Sequence, residues 1–191
     1  MIKAVFFDCY GVLVADQLPG FVDRYMHDER DRATVWKLDD EINLGRLSMA
    51  QFFEEIAELA HKTLPEVVAE LGSNPCNQML FDFIRYDIKP VCKVGIVSNM
   101  ASDVLTDLVG RANRDLFDVE ALSFSVGVIK PEPGIYTYAA EKLGVRPEQC
   151  LFIDDKQRYC DGAKDVGMET MLFTDNQSVK DVLVKRLGLA V

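Results

Sequence analysis

Four runs of apolar residues recur along the chain, and each is continuous rather than alternating with polar residues. They are KAVFFD (3–8), CKVGIVSN (92–99), QCLFID (149–154) and ETMLFTD (169–175), with Ala121 to Phe124 as a candidate fifth. A continuous run is typical of a strand that is buried on both faces of a parallel sheet. The pattern therefore predicts a parallel sheet covered by helices on both sides.

Helical patterns separate these runs. The segments 102–109, 133–143 and 158–166 each end at a glycine, the residue most often found just past a helix end. Strands that alternate with helices indicate a doubly wound α/β fold, with a mostly parallel, Rossmann-like sheet.

The segment that follows the first run breaks this alternation, since it contains no convincing strand as far as Arg85. Ser48-Met-Ala-Gln51 and Thr63-Leu-Pro-Glu66 instead have the spacing of capping boxes, which mark helix starts. We therefore expect an all-helical cap to be inserted after the first strand. The predicted division is a Rossmann-like core of 1–15 and 88–191, and a cap of 16–87.

Composition narrows the class of protein. The 191 residues are 49% apolar and 27% charged, as in a globular domain. No apolar run approaches the roughly 20 residues that span a bilayer, and Asp8 interrupts the first run, so we expect neither a membrane helix nor a signal peptide. The five cysteines form no C-x-x-C pair. We therefore expect neither a disulfide framework nor a zinc site, and we expect the protein to be cytoplasmic.

The formal net charge is −10. Such a surface repels nucleic acid and anionic membranes, so we expect neither as a partner. An anionic substrate would need local attraction from a metal, a lysine or backbone N–H groups.

Polar side chains follow three of the four predicted strands. Ligands of open α/β sheets bind at the carboxyl ends of the strands, where such side chains converge. We interpret the set as one functional site rather than as separate turn residues. At the strand ends its members are Asp8, Ser98, Asn99, Asp154 and Asp155, and Lys130 joins them from a short loop.

The motifs that carry these residues occur in a recognisable order. FFDCYGVL, VSN, KPEPGIY, and LFIDD followed by GAKDVGM span residues 6–168. Together they resemble the haloacid dehalogenase superfamily of hydrolases, which places a helical cap at the position of the insertion. EINLGRLSMAQF is similar to a segment of sugar-phosphate phosphatases and of the N-terminal phosphatase domain of soluble epoxide hydrolase.

The resemblance implies roles for the strand-end residues. Asp8 would attack phosphorus and form an aspartyl-phosphate that water then hydrolyses. Ser98 and Asn99 would bind the transferring phosphoryl group, and Lys130 would neutralise charge on the phosphate and on Asp8. Mg²⁺ prefers oxygen ligands, and it would be held by Asp8, Asp154, Asp155 and the backbone carbonyl of Tyr10.

Tyr10 departs from the D-x-D motif of the family phosphatases. The second Asp of that motif protonates the leaving group and activates water, and general acid–base help of this kind is typically worth about 10²–10⁴ in rate. A phenol with a pKa near 10 is a poor base at neutral pH. The D-x-Y pattern is similar to that of the 2-haloacid dehalogenases, which release halide without a leaving-group proton and without a metal.

Three interpretations follow. The adjacent acids Asp154 and Asp155 favour a Mg²⁺-dependent phosphatase acting on a small phosphate monoester, such as a sugar phosphate, because a metal offsets the cost of burying them. A good leaving group, such as an anomeric or acyl phosphate, would suit Tyr10. The second interpretation is a metal-free 2-haloacid dehalogenase that uses Asp8. The third is a binding or regulatory member with impaired catalysis, since Tyr159 also replaces a small polar residue of the family.

The cap supplies further candidates. Asp16 could replace the missing carboxylate, although a turn residue is the preferred interpretation. A dehalogenase would need a cation, but Arg24, Arg30 and Arg32 are expected on solvated helix faces. Trp36, Phe52 and Phe53 are predicted as core between cap helices, and His27 and His61 as surface residues.

Overall fold

A five-stranded parallel sheet forms the centre of the computed structural model, which describes residues 1–189. The strand order is β3-β2-β1-β4-β5, which confirms the doubly wound α/β prediction. The strands are β1 (Ala4–Phe7), β2 (Lys93–Ser98), β3 (Val119–Leu122), β4 (Cys150–Asp154) and β5 (Glu169–Leu172).

Helices account for most of the remaining chain. The first five are α1 (Leu18–Tyr25), α2 (Glu29–Asn43), α3 (Met49–Leu59), α4 (Leu64–Leu71) and α5 (Gln78–Phe83), followed by a π-helical turn, Ile84–Ile88. Then come α6 (Leu105–Val109), α7 (Arg111–Arg114), α8 (Ser123–Val126), α9 (Pro133–Leu143), a 3₁₀ turn (Pro147–Gln149), α10 (Gln157–Asp165) and α11 (Asn176–Leu187).

The predicted helix 102–109 is too long at its start. It begins at Leu105, because the Val104 N–H donates to the carbonyl of Ser102 at 2.9 Å, which makes a tighter turn than a helix. The Asp103 carboxylate, in the same turn, accepts hydrogen bonds from both terminal nitrogens of Arg114, at 2.9 and 3.0 Å.

The continuous apolar runs fill two separate cores. Phe7, Ile96 and Ile153 face one side of the sheet, where α5 and α11 cover them. Phe6 and Phe152 face the other side, against α9 and α10. Because successive residues of a strand point to opposite faces, a run that is apolar throughout can supply both cores.

The cap helices have a hydrophobic cluster of their own. Phe21, Val35, Ile56 and Val67 of α1–α4 belong to it. Capping boxes start α3 and α4, as predicted. α5 and the π-helical turn pack instead in the core of the sheet. The division of the chain stays a prediction, and these clusters favour a second boundary between α4 and α5 rather than at residue 87.

No helix within residues 1–189 has the length and apolar character needed to cross a bilayer. All five cysteines are free in the structure.

The register of the sheet brings the polar strand ends together. Phe7 of β1 pairs with Ile96 of β2 on one side and with Ile153 of β4 on the other. The residues that follow these positions therefore leave the sheet along one edge. The neighbouring strands β2 and β4 run to opposite sides of β1, so this edge is the topological switch point at which α/β proteins bind ligands.

Candidate active site

Lys130 joins the carboxylates that end β1 and β4. Its Nζ atom lies 2.7 Å from Asp8 Oδ1 and 2.6 Å from Asp154 Oδ2, and all three side chains are buried. Burial, followed by the charge of Asp8, raises the pKa of Asp154 to about 7, and Lys130 opposes that rise. Burial alone would lower the pKa of Lys130, but the two carboxylates hold it above its ordinary value. The ammonium group therefore stays charged between two acids.

Asp155 brings a third carboxylate to the same point. Ligand oxygens of Asp8, Asp154 and Asp155 lie within 4.8 Å of one another. In the described part of the chain, Asp155 Oδ1 is a buried oxygen without a hydrogen-bond partner. Burial, with the charge of Asp8, raises the pKa of Asp155. An orphaned oxygen among carboxylates is costly unless a cation satisfies it. The three groups therefore fit an oxygen-preferring divalent cation such as Mg²⁺.

Gly11 allows the first motif to pass close over Asp155. Its φ is +85°, and a Cβ atom at this position would overlap the Asp155 carboxylate. The Gly11 N–H donates to the carbonyl of Val14 at 2.8 Å, which closes the loop. Only glycine combines this backbone conformation with this approach.

Asn99 holds the backbone of Lys130. Its Oδ1 accepts the Lys130 N–H at 2.7 Å, and its Nδ2 donates to the Lys130 carbonyl at 3.2 Å. Both ends of the amide are engaged, which favours a positioning role over the predicted contact with substrate. Ser98, at the end of β2, is also buried, and it lines a cavity beside Asp8.

Tyr10 lies at the same cavity. Burial, with smaller contributions from Cys9 and Asp16, raises its pKa further above the ordinary value of a phenol. The hydroxyl therefore keeps its proton at neutral pH and does not serve as a base.

Tyr159 packs against Lys130. Nζ of Lys130 lies 4.6 Å from the centre of the Tyr159 ring, within range of a cation–π contact. The Tyr159 hydroxyl accepts a hydrogen bond from Arg158 at 2.7 Å. The sequence alone suggested a lost polar group, and the structure gives this tyrosine a packing role beside the central cation.

A cavity of about 260 Å³ lies over the cluster. Asp8, Ser98 and Lys130 line it from the core. Phe52 and Phe53 line it from α3 of the cap, although Phe52 also packs in the cap cluster. The prediction of core residues is therefore incomplete, since the helical pattern identifies an apolar face without showing that part of it borders a cavity.

Asp16, Asp39 and Lys156 also border the cavity. Asp16 Oδ1 accepts the Leu18 N–H at 3.1 Å, as a turn residue does, and Asp16 Oδ2 lies 3.5 Å from Lys156 Nζ. Burial raises the pKa of Asp39 to about 6. Sequence reasoning missed Asp39 and Lys156, although Lys156 directly follows the acidic pair.

The three cap arginines lie outside this set of lining residues. Arg24 pairs with Glu70 at 3.1 Å and Arg32 with Asp23 at 2.6 Å, while Arg30 is exposed. His27 and His61 are exposed, as predicted. Cys9 is buried, and burial raises its pKa, so a reactive thiol is not favoured.

Known proteins resemble this chain over most of its length. A phosphatase of Mycobacterium tuberculosis is 35% identical over 135 residues, and the match covers 62% of each chain. An (S)-2-haloacid dehalogenase of Xanthobacter autotrophicus is 29% identical over 87% of this chain and 73% of its own. The chain thus spans about two thirds of the length of these curated relatives.

A solved structure shares the fold. It is a haloacid dehalogenase family enzyme of Bacteroides thetaiotaomicron in complex with magnesium and inorganic phosphate, 21% identical, with a TM-score of 0.71 over 94% of this chain and 98% of that one. The family model for haloacid dehalogenase-like hydrolases matches residues 2–167. The match covers nearly the whole chain and includes Asp8, Ser98, Asn99, Lys130, Asp154 and Asp155. This protein therefore belongs to the haloacid dehalogenase-like hydrolases.

Proposed function

We propose that this protein is a Mg²⁺-dependent phosphatase that acts on a small phosphate monoester through an aspartyl-phosphate on Asp8. One observation carries the proposal. Asp8, Asp154 and Asp155 converge within 4.8 Å, and a buried oxygen of Asp155 lacks a partner within residues 1–189. A dehalogenase that attacks carbon without a metal gains nothing from two further carboxylates beside its nucleophile, and they would repel a carboxylate substrate.

The residues support a two-step displacement. An oxygen of Asp8 forms a bond to phosphorus while the bond from phosphorus to the leaving oxygen breaks, and the leaving group takes the electron pair. Lys130, 2.7 Å from Asp8, neutralises negative charge that builds on the phosphoryl group. The Ser98 hydroxyl donates a hydrogen bond to a phosphoryl oxygen. Water then attacks phosphorus and gives up a proton to solvent. The bond from phosphorus to Asp8 breaks, its electron pair returns to the carboxylate, and inorganic phosphate leaves.

The metal belongs beside the nucleophile in this scheme. Asp8, Asp154, Asp155 and the backbone carbonyl of Tyr10 would hold Mg²⁺. When bound, the ion supplies positive charge that offsets the three carboxylates and the phosphate. Asn99 keeps Lys130 in place through both of its backbone hydrogen bonds.

Tyr10 restricts the substrates. Its phenol replaces the carboxylic acid that would protonate an alkoxide, and Asp16 is engaged with Leu18 and Lys156. The enzyme is therefore expected to prefer leaving groups that depart as stable anions, such as those of anomeric sugar phosphates, aryl phosphates and acyl phosphates.

A second candidate is a 2-haloacid dehalogenase that uses Asp8 without metal. Tyr10 in the first motif favours it, and the Xanthobacter relative carries that activity in its name. The two candidates differ in their dependence on Mg²⁺ and in the product that they release.

Phosphate release from a panel of phosphate monoesters, with Mg²⁺ and with EDTA, tests the proposal. The panel includes aryl, acyl, anomeric and simple alkyl phosphates, and Asp8→Asn is the blank for contaminating phosphatases. Release that needs Mg²⁺ and disappears in the blank supports a phosphatase. Halide release from 2-haloacids in EDTA, without phosphate release, would refute the phosphatase and support the dehalogenase. If alkyl phosphates react as fast as anomeric ones, Tyr10 does not restrict the enzyme to good leaving groups.

A further inference from the structure

We infer that the cavity selects monophosphates whose organic part is apolar and uncharged, such as aryl phosphate esters and branched or aromatic acyl phosphates. The inference rests on the proposed phosphatase activity and narrows its substrate class. Three features carry it: the apolar walls, the lack of a spare cation among the described residues that line the cavity, and the replacement of the second acid by Tyr10.

Apolar side chains face the cavity from both sides. Met49 and Phe53 line it from α3 of the cap, and Val104 and Leu108 line it from the segment after β2. Each keeps part of its surface accessible, and Met49 is 41% exposed. Apolar surface left accessible in a concave site gains free energy when an apolar ligand group covers it.

The cations that line the cavity are already paired. Within residues 1–189 they are Lys130, which lies between Asp8 and Asp154, and Lys156, whose Nζ is 3.5 Å from Asp16. A bisphosphate or a phosphorylated acid would therefore bring its second anion into a cavity without a free positive partner. Asp39, which also lines the cavity, would repel that anion when ionised. The phosphoryl group is thus the single anionic group that the site accommodates.

The chemistry of the first motif points to the same substrates. Phenolates and carboxylates leave as comparatively stable anions, so aryl and acyl phosphates need the missing general acid least. The apolar wall and the phenol in place of the second Asp lie on different elements, and both suit an aryl or acyl phosphate.

Binding of two inert phosphonates tests the walls independently of catalysis. Phenylphosphonate and methylphosphonate are titrated calorimetrically into the full chain in the presence of Mg²⁺. Burial of the phenyl ring is expected to tighten binding at least about tenfold relative to methylphosphonate. In parallel, kcat/KM for phenyl phosphate is expected to exceed the values for glucose 1-phosphate and 3-phosphoglycerate.

A matched pair of variants locates the effect. Val104→Thr places a hydroxyl in the wall at nearly constant volume, and Val68→Thr makes the same change on an exposed position of α4, outside the lining residues. Val104→Thr should weaken phenylphosphonate about three- to tenfold and leave methylphosphonate unchanged, since the ring would be packed against an unpaired hydroxyl. Val68→Thr should change neither.

The outcomes separate the two proposals. Equal affinity for both phosphonates, or faster turnover of glucose 1-phosphate than of phenyl phosphate, would overturn the apolar preference and leave a phosphatase. Selective binding of phenylphosphonate without phosphate release from any ester would instead refute the phosphatase and keep the apolar cavity. If the protein binds neither phosphonate and releases no phosphate, both the phosphatase and the apolar preference are refuted.

Discussion

Replacement of Lys130 by methionine removes the ammonium group while it keeps the length of the side chain. The ammonium lies 2.7 Å from Asp8 and 2.6 Å from Asp154, and the Lys130 side chain is 1% exposed. Removal of one partner from a buried ion pair leaves an uncompensated charge and typically costs about 3–5 kcal/mol. We expect Lys130→Met to lower the free energy of unfolding by about this amount at mildly alkaline pH.

The size of the loss should depend on pH. The folded-state pKa of Asp154, about 7, lies above the ordinary 3.8. The folded state therefore favours the protonated form of Asp154. The stabilisation from this proton is complete below pH 3.8 and is lost as the pH rises through about 7. Lys130 lowers this pKa, so the variant should retain the Asp154 proton to higher pH. At about 1.36 kcal/mol per pKa unit, we expect the loss to be about 1 kcal/mol larger near pH 8 than near pH 5.5.

Urea unfolding at pH 5.5 and pH 8, followed by circular dichroism in EDTA, measures the loss of unfolding free energy and its dependence on pH. Lys164→Met is the control, because Lys164 is exposed on α10. Equal stability of the two variants at both pH values would show that the Asp8–Lys130–Asp154 interaction has no net effect. A larger loss at acidic pH would show that Asp154 does not keep its proton to higher pH when Lys130 is removed.

Further predictions concern the neighbours of this lysine. Mg²⁺ should raise the Tm of the wild-type protein by binding the folded state; Asp155→Asn should abolish the rise, and Asp161→Asn, exposed on α10, should keep it. Gly11→Ala and Gly110→Ala both place alanine at positive φ, +85° and +76°, but a Cβ meets Asp155 only at Gly11. Only Gly11→Ala should lose the Mg²⁺ response, and a loss in both would refute the clash. Tyr10→Asp should raise kcat/KM for alkyl phosphates about 10²-fold, whereas Tyr10→Phe should not; no gain in Tyr10→Asp would contradict the assigned defect.

Much of the fold could be predicted because it depends on local pattern. Phe6 and Phe7 point to opposite faces of β1 and lie in different cores, so a run that is apolar at both positions indicates a strand buried on both sides. Parallel strands then place Asp8 and Asp154 at one edge without further information.

Contacts between distant residues could not be predicted in the same way. Asn99 holds Lys130 across 31 positions, and Tyr159 meets that lysine through its ring. Nothing in the spacing of these residues specifies which atoms are engaged. Phe53 shows the same limit, because an apolar helical face can border either a core or a cavity. α5 follows the cap helices in sequence, but it packs under the sheet.

Capture of a phosphoryl group on Asp8 tests the central claim most directly. The protein is mixed with Mg²⁺ and acetyl phosphate, quenched in acid, and its N-terminal peptide is analysed by mass spectrometry. Because Tyr10 is a poor base for the second step, the aspartyl-phosphate should accumulate on Asp8 in the wild-type protein and be absent in Asp8→Asn. Phosphate release by an enzyme that is never phosphorylated at Asp8, or that carries the phosphoryl group on another residue, would contradict the account.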